Sequence, residues 1–165
     1  MDEAAFREFY ALTARPVKSY LARITGSATL AEDFLQESYL RLLRSDAPLE
    51  DFTQRKNYLY RIATNLVRDH FRAAKNHPLP LQDQALGEGV SESVQVSSDV
   101  QKVLGEIKPN ERTLMWLAYV EGASHREIAT ITGLRENSIR PLLFRVRQKL
   151  ASLLRERGFQ PPEVR

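Results

Sequence analysis

The chain has 165 residues, a formal net charge of +3, 42% hydrophobic residues and 27% charged residues. That length holds one medium or two small domains, and the composition is that of an ordinary globular protein. No cysteine is present, which excludes disulfides and thiolate metal sites, and no apolar run approaches the ~20 residues that a membrane span needs. The N-terminus is acidic and amphipathic, unlike a signal peptide, so we expect a cytoplasmic protein.

The positive charge is concentrated in two stretches. Residues 54–75 hold six lysines or arginines and one acid, and residues 135–149 hold five and one. Between them, residues 77–98 hold three acids and no lysine or arginine. A charge run is usually just a solvated helix face, but two basic runs backed by apolar residues favour a polyanionic partner.

Three helices are predicted in the first half of the chain, over residues 3–24, 30–44 and 53–76. Pro16 should break or kink the first, because proline removes a helical hydrogen bond and clashes with the preceding turn. Thr29 and Glu32 have capping-box spacing and should open the second. The apolar residues expected to face inward are Phe6, Phe9, Tyr10, Leu12, Val17, Leu21 and Ile24, then those at 35, 39, 42 and 43, then Tyr58, Leu59, Ile62, Leu66 and Phe71.

A second helical block is predicted after residue 98. It begins with a short helix over residues 99–107, and Asn110 should cap a helix that ends near residue 121. Ser124 and Glu127 form a capping box that opens a short helix. After a turn at Gly133, a final helix runs to about residue 157, with Gly158 as its C-cap.

Residues 77–98 have weak periodicity and contain Pro, Gly and Ser, which predicts a flexible acidic linker. The predicted fold class is therefore all-α, with two small helical domains over residues 1–76 and 99–165.

No catalytic motif is evident. His70, His77 and His125 have no metal-ligand spacing, and the chain has no phosphate loop, Gly-x-Ser-x-Gly segment or dinucleotide fingerprint. Carboxylates on the helix of residues 30–44 could do acid–base work, but a solvated acidic face is the simpler interpretation. We therefore expect a protein that is not an enzyme and that uses no cofactor or metal.

The segment HREIATITGLRENSIRPLL, residues 125–143, predicts a helix-turn-helix. Such a motif needs a small residue on the first helix, a turn residue that tolerates positive φ, and apolar residues on the second helix that face back. The residues that meet these needs are Ala129, Gly133, Ile139 and Leu143, with Ile128 and Leu134 filling the core. A helix pair that binds no DNA remains the alternative.

The second helix of such a motif enters the major groove. Its side chains predicted to point away from the apolar stripe are Arg140, Phe144, Arg145 and Arg147. Arginine can pair with guanine edges or hold phosphates. Phe144 could meet a thymine methyl or a sugar, or could instead be a partly exposed core aromatic.

Pro141 lies near the start of this helix, where it should cost little. The first-turn amides of a helix have no internal partner. The proline therefore predicts a helix that starts near Ser138, or a distorted first turn, rather than a regular helix from Glu136.

Two further faces have both a functional and an ordinary interpretation. Over residues 57–72, aromatic and basic side chains interleave, which suits unstacked nucleic acid but also ordinary packing; they are Tyr58, Tyr60, Asn65 and His70 with Arg61, Arg68 and Arg72. Over residues 30–44, an acidic and amide face suits a basic protein partner or plain solvent.

In chain order, the segments AEDFLQE, YLYRIATNLVRDHFR and IKPNERTLMWLAYVEGASHREIATITGL, followed by the basic helix, resemble an extracytoplasmic-function (ECF) sigma factor of the sigma-70 family. The resemblance covers roughly residues 4–155. The segments NLVRDHFR and GASHREIA are most similar to the branch associated with iron uptake.

The resemblance implies three sets of site residues. Those that would dock on the clamp helices of the largest subunit of core RNA polymerase are Glu32, Asp33, Gln36 and Glu37. Those that would open the −10 element and hold a flipped base are Thr53, Gln54, Arg55, Lys56, Asn57, Arg61 and Asn65. Those that would read the −35 element are Asn137, Arg140, Phe144, Arg145 and Arg147.

The resemblance also implies other partners and departures. Promoter DNA and an anti-sigma factor would be partners, and the linker would run near the RNA exit path of the polymerase. Pro141 and Leu142 stand where the family usually has polar or basic residues, and Tyr58 stands where it often has Trp.

Two other classes of protein are alternatives. One is a stand-alone helix-turn-helix regulator with an N-terminal dimerisation domain, which would have no need of the acidic face around Asp33. The other is a helical adaptor that binds no DNA.

Overall fold

The computed structural model describes residues 1–76 and 98–159, and within these ranges it contains helices and no strand. The helices are α1 (Glu3–Thr25), α2 (Ala28–Arg44), α3 (Phe52–Asn76), α4 (Ser98–Gly105), α5 (Pro109–Met115), a π-helical turn (Trp116–Val120), α6 (His125–Thr132) and α7 (Glu136–Glu156). They form two compact units, the first containing α1–α3 and the second most of α4–α7. The all-α prediction is confirmed, whereas the predicted linker lies outside the described residues apart from residue 98. None of the described helices is long and apolar enough to cross a membrane.

In the first unit, each of the three helices packs against the other two. Val17, Leu21 and Leu59 are completely buried, as the helical spacing predicts. Two pairs of hydroxyl groups are buried with them. The Tyr20 and Thr64 hydroxyls lie 2.7 Å apart. The hydroxyls of Thr13 and Tyr39 lie 2.6 Å apart. Pairing removes the cost of burying these polar groups and ties together helices that are distant in the chain.

The Tyr39 hydroxyl is buried deeply enough to change its acidity. Burial raises the pKa of Tyr39 to about 12, and the hydrogen bond to Thr13 opposes the rise only in part. Tyr39 is therefore a neutral packing residue across the physiological pH range.

Several predicted core positions of the first unit are wrong. Tyr10, Leu12 and Leu43 are 45%, 57% and 50% exposed. They lie at the edges of apolar helix faces, and these faces are wider than the surface that packs between the three helices. Tyr60, predicted among the surface aromatic residues, is 1% exposed and packs on Tyr20 with 5.2 Å between ring centroids.

Helix α1 continues through Pro16, so the predicted break does not occur. Proline leaves the Leu12 carbonyl without its helical donor, but both residues are exposed, so water can reach this side of the helix. Helix α1 ends at Thr25, and its C-cap Gly26 has a φ of 70°, which is accessible to glycine. The next residue, Ser27, caps α2 by accepting from the Leu30 N–H at 3.2 Å. The predicted cap at Thr29 is therefore wrong by two residues.

In the second unit, α4 and α5 pack against α7. Val103, Leu117 and Ile139 are completely buried. Two ion pairs join α7 and the residue after it to α5 and to the residue after α4. Lys149 Nζ lies 2.8 Å from Glu111 Oε1, and Arg157 Nη2 lies 2.6 Å from Glu106 Oε1.

Local capping in this unit is partly as predicted. The Ser124–Glu127 capping box is confirmed by reciprocal bonds of 3.1 and 3.2 Å. Gly158, with φ 85°, ends α7 in a Schellman motif, in which the Phe159 N–H bonds the Leu154 carbonyl at 2.9 Å. Helix α5 starts at Pro109 rather than after Asn110, because proline is favourable at the first helical position.

The core of the predicted helix-turn-helix is confirmed at most positions. Ile128 and Ile139 are completely buried, and Leu143 is 4% exposed. Gly133 has a φ of 75°, as the turn requires. Leu134 was expected in the core but is 37% exposed, because it lies in the turn itself.

The predicted late start of α7 is wrong, since the helix begins at Glu136 and includes Pro141. Proline at 141 removes only the bond to the Asn137 carbonyl, and both residues are exposed to solvent. Burial of Ile139 and Leu143 on either side holds the helical register through this position. The first turn also has a tight bond from the Ser138 N–H to the Arg135 carbonyl at 2.9 Å.

We expect Pro141→Ala to raise the free energy of unfolding of the second unit by about 1–3 kcal/mol, since it restores a helical donor and removes the ring clash. Urea denaturation followed by circular dichroism measures the change. Gln148→Ala, at another exposed position of α7, should stay within about 0.5 kcal/mol of the wild type. A loss of stability in Pro141→Ala would contradict this account of α7.

Candidate nucleic-acid and partner interfaces

The acidic surface consists of Glu32, Asp33, Gln36 and Glu37, which α2 brings to one face. Two of its carboxylates form ion pairs within the chain. Glu32 Oε2 lies 2.6 Å from Lys18 Nζ, and Glu37 Oε1 lies 2.7 Å from Arg41 Nε. Both pairs are about half exposed, and such pairs contribute little and exchange readily for other partners.

Asp33 and Gln36 differ from these two carboxylates. Both are exposed, and neither has a hydrogen-bond or ion-pair partner within residues 1–76 and 98–159. They lie three residues apart, so they are neighbours on the surface of α2. The acidic surface therefore presents an unneutralised carboxylate beside an amide, as a basic protein partner would require.

The first turn of α3 carries five of the residues predicted to meet single-stranded DNA. Thr53 and Gln54 are exposed, while residues 55–57 are half-buried. The Gln54 side chain already has a role in the fold, because its Oε1 accepts from the Glu50 N–H at 2.8 Å. Its amide NH₂ and the second lone pair of Oε1 remain for a base.

Asp51 caps α3, and the sequence analysis missed it. Its Oδ1 accepts from the Gln54 N–H at 2.8 Å, and its carbonyl accepts from the Arg55 N–H at 3.1 Å. The signal was present in the sequence, since aspartate is a favoured N-cap, but the predicted helix start at Thr53 concealed it. Asp51 therefore fixes the turn on which the candidate DNA-contacting residues lie.

Further along α3, Arg61 and Asn65 are exposed and four residues apart. They extend the face that begins at Asn57, so the structure brings these predicted residues together in one row. The aromatic partners expected beside them face elsewhere. The Tyr58 hydroxyl accepts from the Ser45 Oγ at 3.1 Å, and the His70 ring packs on Phe34. The row is thus basic and polar, without aromatic rings for base stacking.

On α7, four of the five predicted residues share one exposed face. Asn137, Arg140, Phe144 and Arg147 are spaced by three, four and three residues, and Arg140, Phe144 and Arg147 each lie about 100° around the helix from a residue of the buried stripe. Phe144 is 52% exposed, which favours its interpretation as a contact residue rather than a core aromatic. Arg145 is also exposed, but lies about 100° around the helix from Phe144, on the far flank beyond Pro141.

The charges of α7 divide into paired and unpaired groups. Lys149 is paired with Glu111. Within the part of the chain that the structure describes, no carboxylate lies within ion-pair distance of Arg140, Arg145 or Arg147. An uncompensated basic face on the second helix of a helix-turn-helix suits the phosphates and base edges of duplex DNA.

These features define a class of protein: an all-α DNA-binding protein with a helix-turn-helix in its second unit and an acidic surface in its first. The sigma-70 region 2 family model matches residues 9–77, and the sigma-70 region 4 model matches residues 97–150.

Curated relatives agree with these matches. The RNA polymerase sigma factor CarQ of Myxococcus xanthus is 30% identical over 161 residues, which cover 92% of this chain and 90% of CarQ. The ECF RNA polymerase sigma factor SigM of Bacillus subtilis is 28% identical over 153 residues, which cover 88% of this chain and 93% of SigM.

A solved structure shares the fold. A chain of the co-crystal structure of the sigma factor RpoE with the anti-sigma factor NepR from Bartonella quintana has a TM-score of 0.69 and 17% identity, covering 92% of this chain and 97% of that one. The chain described here belongs to the sigma-70 family. It is an alternative sigma factor of the ECF type, which directs promoter-specific transcription initiation.

We expect Asp51→Ala to lower the free energy of unfolding by about 0.5–2 kcal/mol, because the first turn of α3 loses its cap. Urea denaturation of the full chain measures the change. Asp46→Ala is the matched control, since Asp46 is an exposed aspartate of the same loop without a hydrogen bond in the described ranges. Equal stability of the two variants would remove Asp51 from this role.

Proposed function

We propose that the acidic surface of α2 docks this sigma factor on the clamp helices of the largest subunit of core RNA polymerase. The observation that carries the proposal is the unpaired, exposed Asp33 beside Gln36. A carboxylate without an internal cation gains a full ion pair on meeting a basic surface, whereas Glu32 and Glu37 must first release Lys18 and Arg41. Asp33 is therefore the anchor, and the other two acids add to the field that guides association.

The first turn of α3 and the row of Arg61 and Asn65 are the proposed −10 contacts. Thr53 and Gln54 supply hydroxyl and amide groups for an extruded base, and Arg55, Lys56 and Asn57 complete the segment. The basic charge of α3 offsets the phosphates of an opened strand. The cap at Asp51 holds this segment in place before DNA arrives, which lowers the entropy lost on binding.

The exposed face of α7 is the proposed −35 contact. Arg140 and Phe144 lie in its first half, where the recognition helix of a helix-turn-helix meets base edges. Asn137 lies in the first turn beside them. Arg145 approaches from the other flank, and the exposed ring of Pro141 separates it from Asn137.

Regulation by an anti-sigma factor is also proposed. It is supported by the family and by the fold shared with a chain of the RpoE–NepR co-crystal structure. The sequences of residues 65–72 and 122–129 resemble the branch of the family associated with iron uptake, which supports the further proposal that this protein directs transcription of iron-uptake genes. Mapping the transcripts that appear on overexpression, with and without iron limitation, tests this further proposal. A transcript set with no iron-transport genes would contradict it.

Asp33→Arg should abolish association with core RNA polymerase, because it places a like charge against the proposed basic partner, at a cost of several kcal/mol. Pull-down with purified core enzyme measures it. Glu8→Arg is the matched control, since Glu8 is an exposed acid of α1 outside the acidic surface. Retained association of Asp33→Arg, or equal loss in Glu8→Arg, would count against the docking role.

Arg145→Ala should weaken holoenzyme binding to a −35 duplex by about 1–3 kcal/mol if the guanidinium reads a base, while core binding is unchanged. Fluorescence anisotropy with reconstituted holoenzyme measures both. Arg155→Ala, an exposed arginine near the end of the same helix, should bind like the wild type. Equal transcription from Arg145→Ala and the wild type would exclude Arg145 from the −35 contacts.

A stand-alone helix-turn-helix regulator predicts the opposite pattern. Such a protein would shift a palindromic duplex alone and would never co-purify with core polymerase. The same pull-down and anisotropy measurements therefore separate the two functions.

A further inference from the structure

A π-helical turn lies between α5 and the helix-turn-helix. Over Trp116–Val120 the backbone forms wider turns, as in the bond from the Glu121 N–H to the Trp116 carbonyl five residues earlier, at 3.1 Å. Such turns are rare and are frequent at functional sites, because they rotate the following side chains away from their α-helical positions. Leu117 is completely buried, whereas Tyr119 and Val120 are 53% and 61% exposed.

The exposed Tyr119 has a specific partner on the recognition helix. Its hydroxyl oxygen accepts a hydrogen bond from Arg147 Nη1 at 2.7 Å. An exposed bond of this kind contributes little to stability, because water replaces it readily. Its effect is to restrict a long side chain that would otherwise occupy many rotamers.

The position of Arg147 indicates what it contacts. It is about 16 Å along the axis of α7 from Glu136, since a helix rises 1.5 Å per residue. The recognition helix of a helix-turn-helix reads base edges with its N-terminal residues, so a side chain three turns later meets the backbone. Arg147 follows Arg140 by seven residues and has no carboxylate partner in the described ranges, so its charge is available.

We propose that Tyr119 positions Arg147 to hold a backbone phosphate of the −35 duplex. Arg147 then supplies affinity that is independent of the base sequence, while residues nearer the start of α7 supply specificity. The inference rests on the proposed −35 role of α7. It assigns Tyr119, which lies outside the helix-turn-helix motif, a role in promoter binding.

The test uses holoenzyme reconstituted from core polymerase with wild-type protein, Tyr119→Phe, Arg147→Ala, or both changes. The probe is a duplex promoter fragment mapped from transcripts that depend on this protein, together with copies that carry single base-pair changes in the −35 element. Anisotropy titrations over a salt series give the affinity and its salt dependence. Tyr10→Phe is the matched control, as a 45% exposed tyrosine in the other unit. Thermal melts check that each variant is folded.

We expect Arg147→Ala to weaken all duplexes by the same factor and to lower the slope of log affinity against log salt by about 1. Tyr119→Phe should weaken binding about threefold to tenfold, which is the usual effect of one hydrogen bond, and should have no further effect when Arg147 is alanine. Arg147→Lys keeps the charge and should retain the salt slope. It therefore tests the phosphate contact of residue 147 even if Tyr119→Phe fails to fold.

Three results would overturn the inference: wild-type affinity in Tyr119→Phe, an equal effect of that change with and without Arg147, or a loss in Arg147→Ala that is confined to one base pair. If wild-type holoenzyme itself fails to bind the mapped promoter, the proposed −35 function fails instead. The two failures are therefore distinguishable.

Discussion

Burial of Ile139, Leu143 and Val146 along one side of α7 determines which side chains of that helix face solvent. These three residues are 0%, 4% and 3% exposed. Each buries most of its apolar surface, and moving one into water costs about 1.5–3 kcal/mol. A rotation of α7 that exposed these three residues would therefore cost more free energy than any surface contact of α7 could supply. The basic face that is proposed to meet DNA is consequently set by the core packing of the same helix.

The charged side chains of the molecule fall into two groups, those paired within the chain and those without such a partner. Glu111 and Glu106 form ion pairs with Lys149 and Arg157. Arg140, Arg145 and Asp33 have no oppositely charged partner among residues 1–76 and 98–159. A sigma factor must meet a protein and a nucleic acid at once, so it needs uncompensated charge of both signs on separate faces. The ion pairs of Lys149 and Arg157 lie near the end of α7, away from the proposed DNA-contacting residues of its first half.

Some local features of the fold were predictable from the sequence, whereas contacts between particular residues far apart in the chain were not. The Ser124–Glu127 capping box and the Gly133 turn follow from chemistry within a few residues, and both were predicted. The burial of Tyr60 depends on Tyr20, forty residues away in the chain, and periodicity alone could not reveal it. The π-helical turn has no sequence signature, so the bond between Tyr119 and Arg147 could not be foreseen.

For the candidate sites, too, the sequence predicted some features and missed others. Helical spacing correctly grouped Asp33 with Gln36, and Arg61 with Asn65, because residues three or four apart share a face. It could not show that Glu32 is paired with Lys18, which lies in another helix, or that Gln54 is bonded to Glu50, which lies in the loop before α3. Pro141 was a misleading guide to the start of α7, because burial of Ile139 and Leu143 keeps the helix continuous through the proline.

The central claim, that this chain confers promoter specificity on core RNA polymerase, is tested most directly by run-off transcription in a purified system. Core enzyme and a mapped promoter template are combined with and without the protein, in the presence of competitor DNA. The account predicts a transcript of defined start only when the protein and core enzyme are both present, and no sequence-specific DNA binding by the protein alone. The same transcript from core enzyme without the protein, or specific binding by the protein without core enzyme, would contradict it.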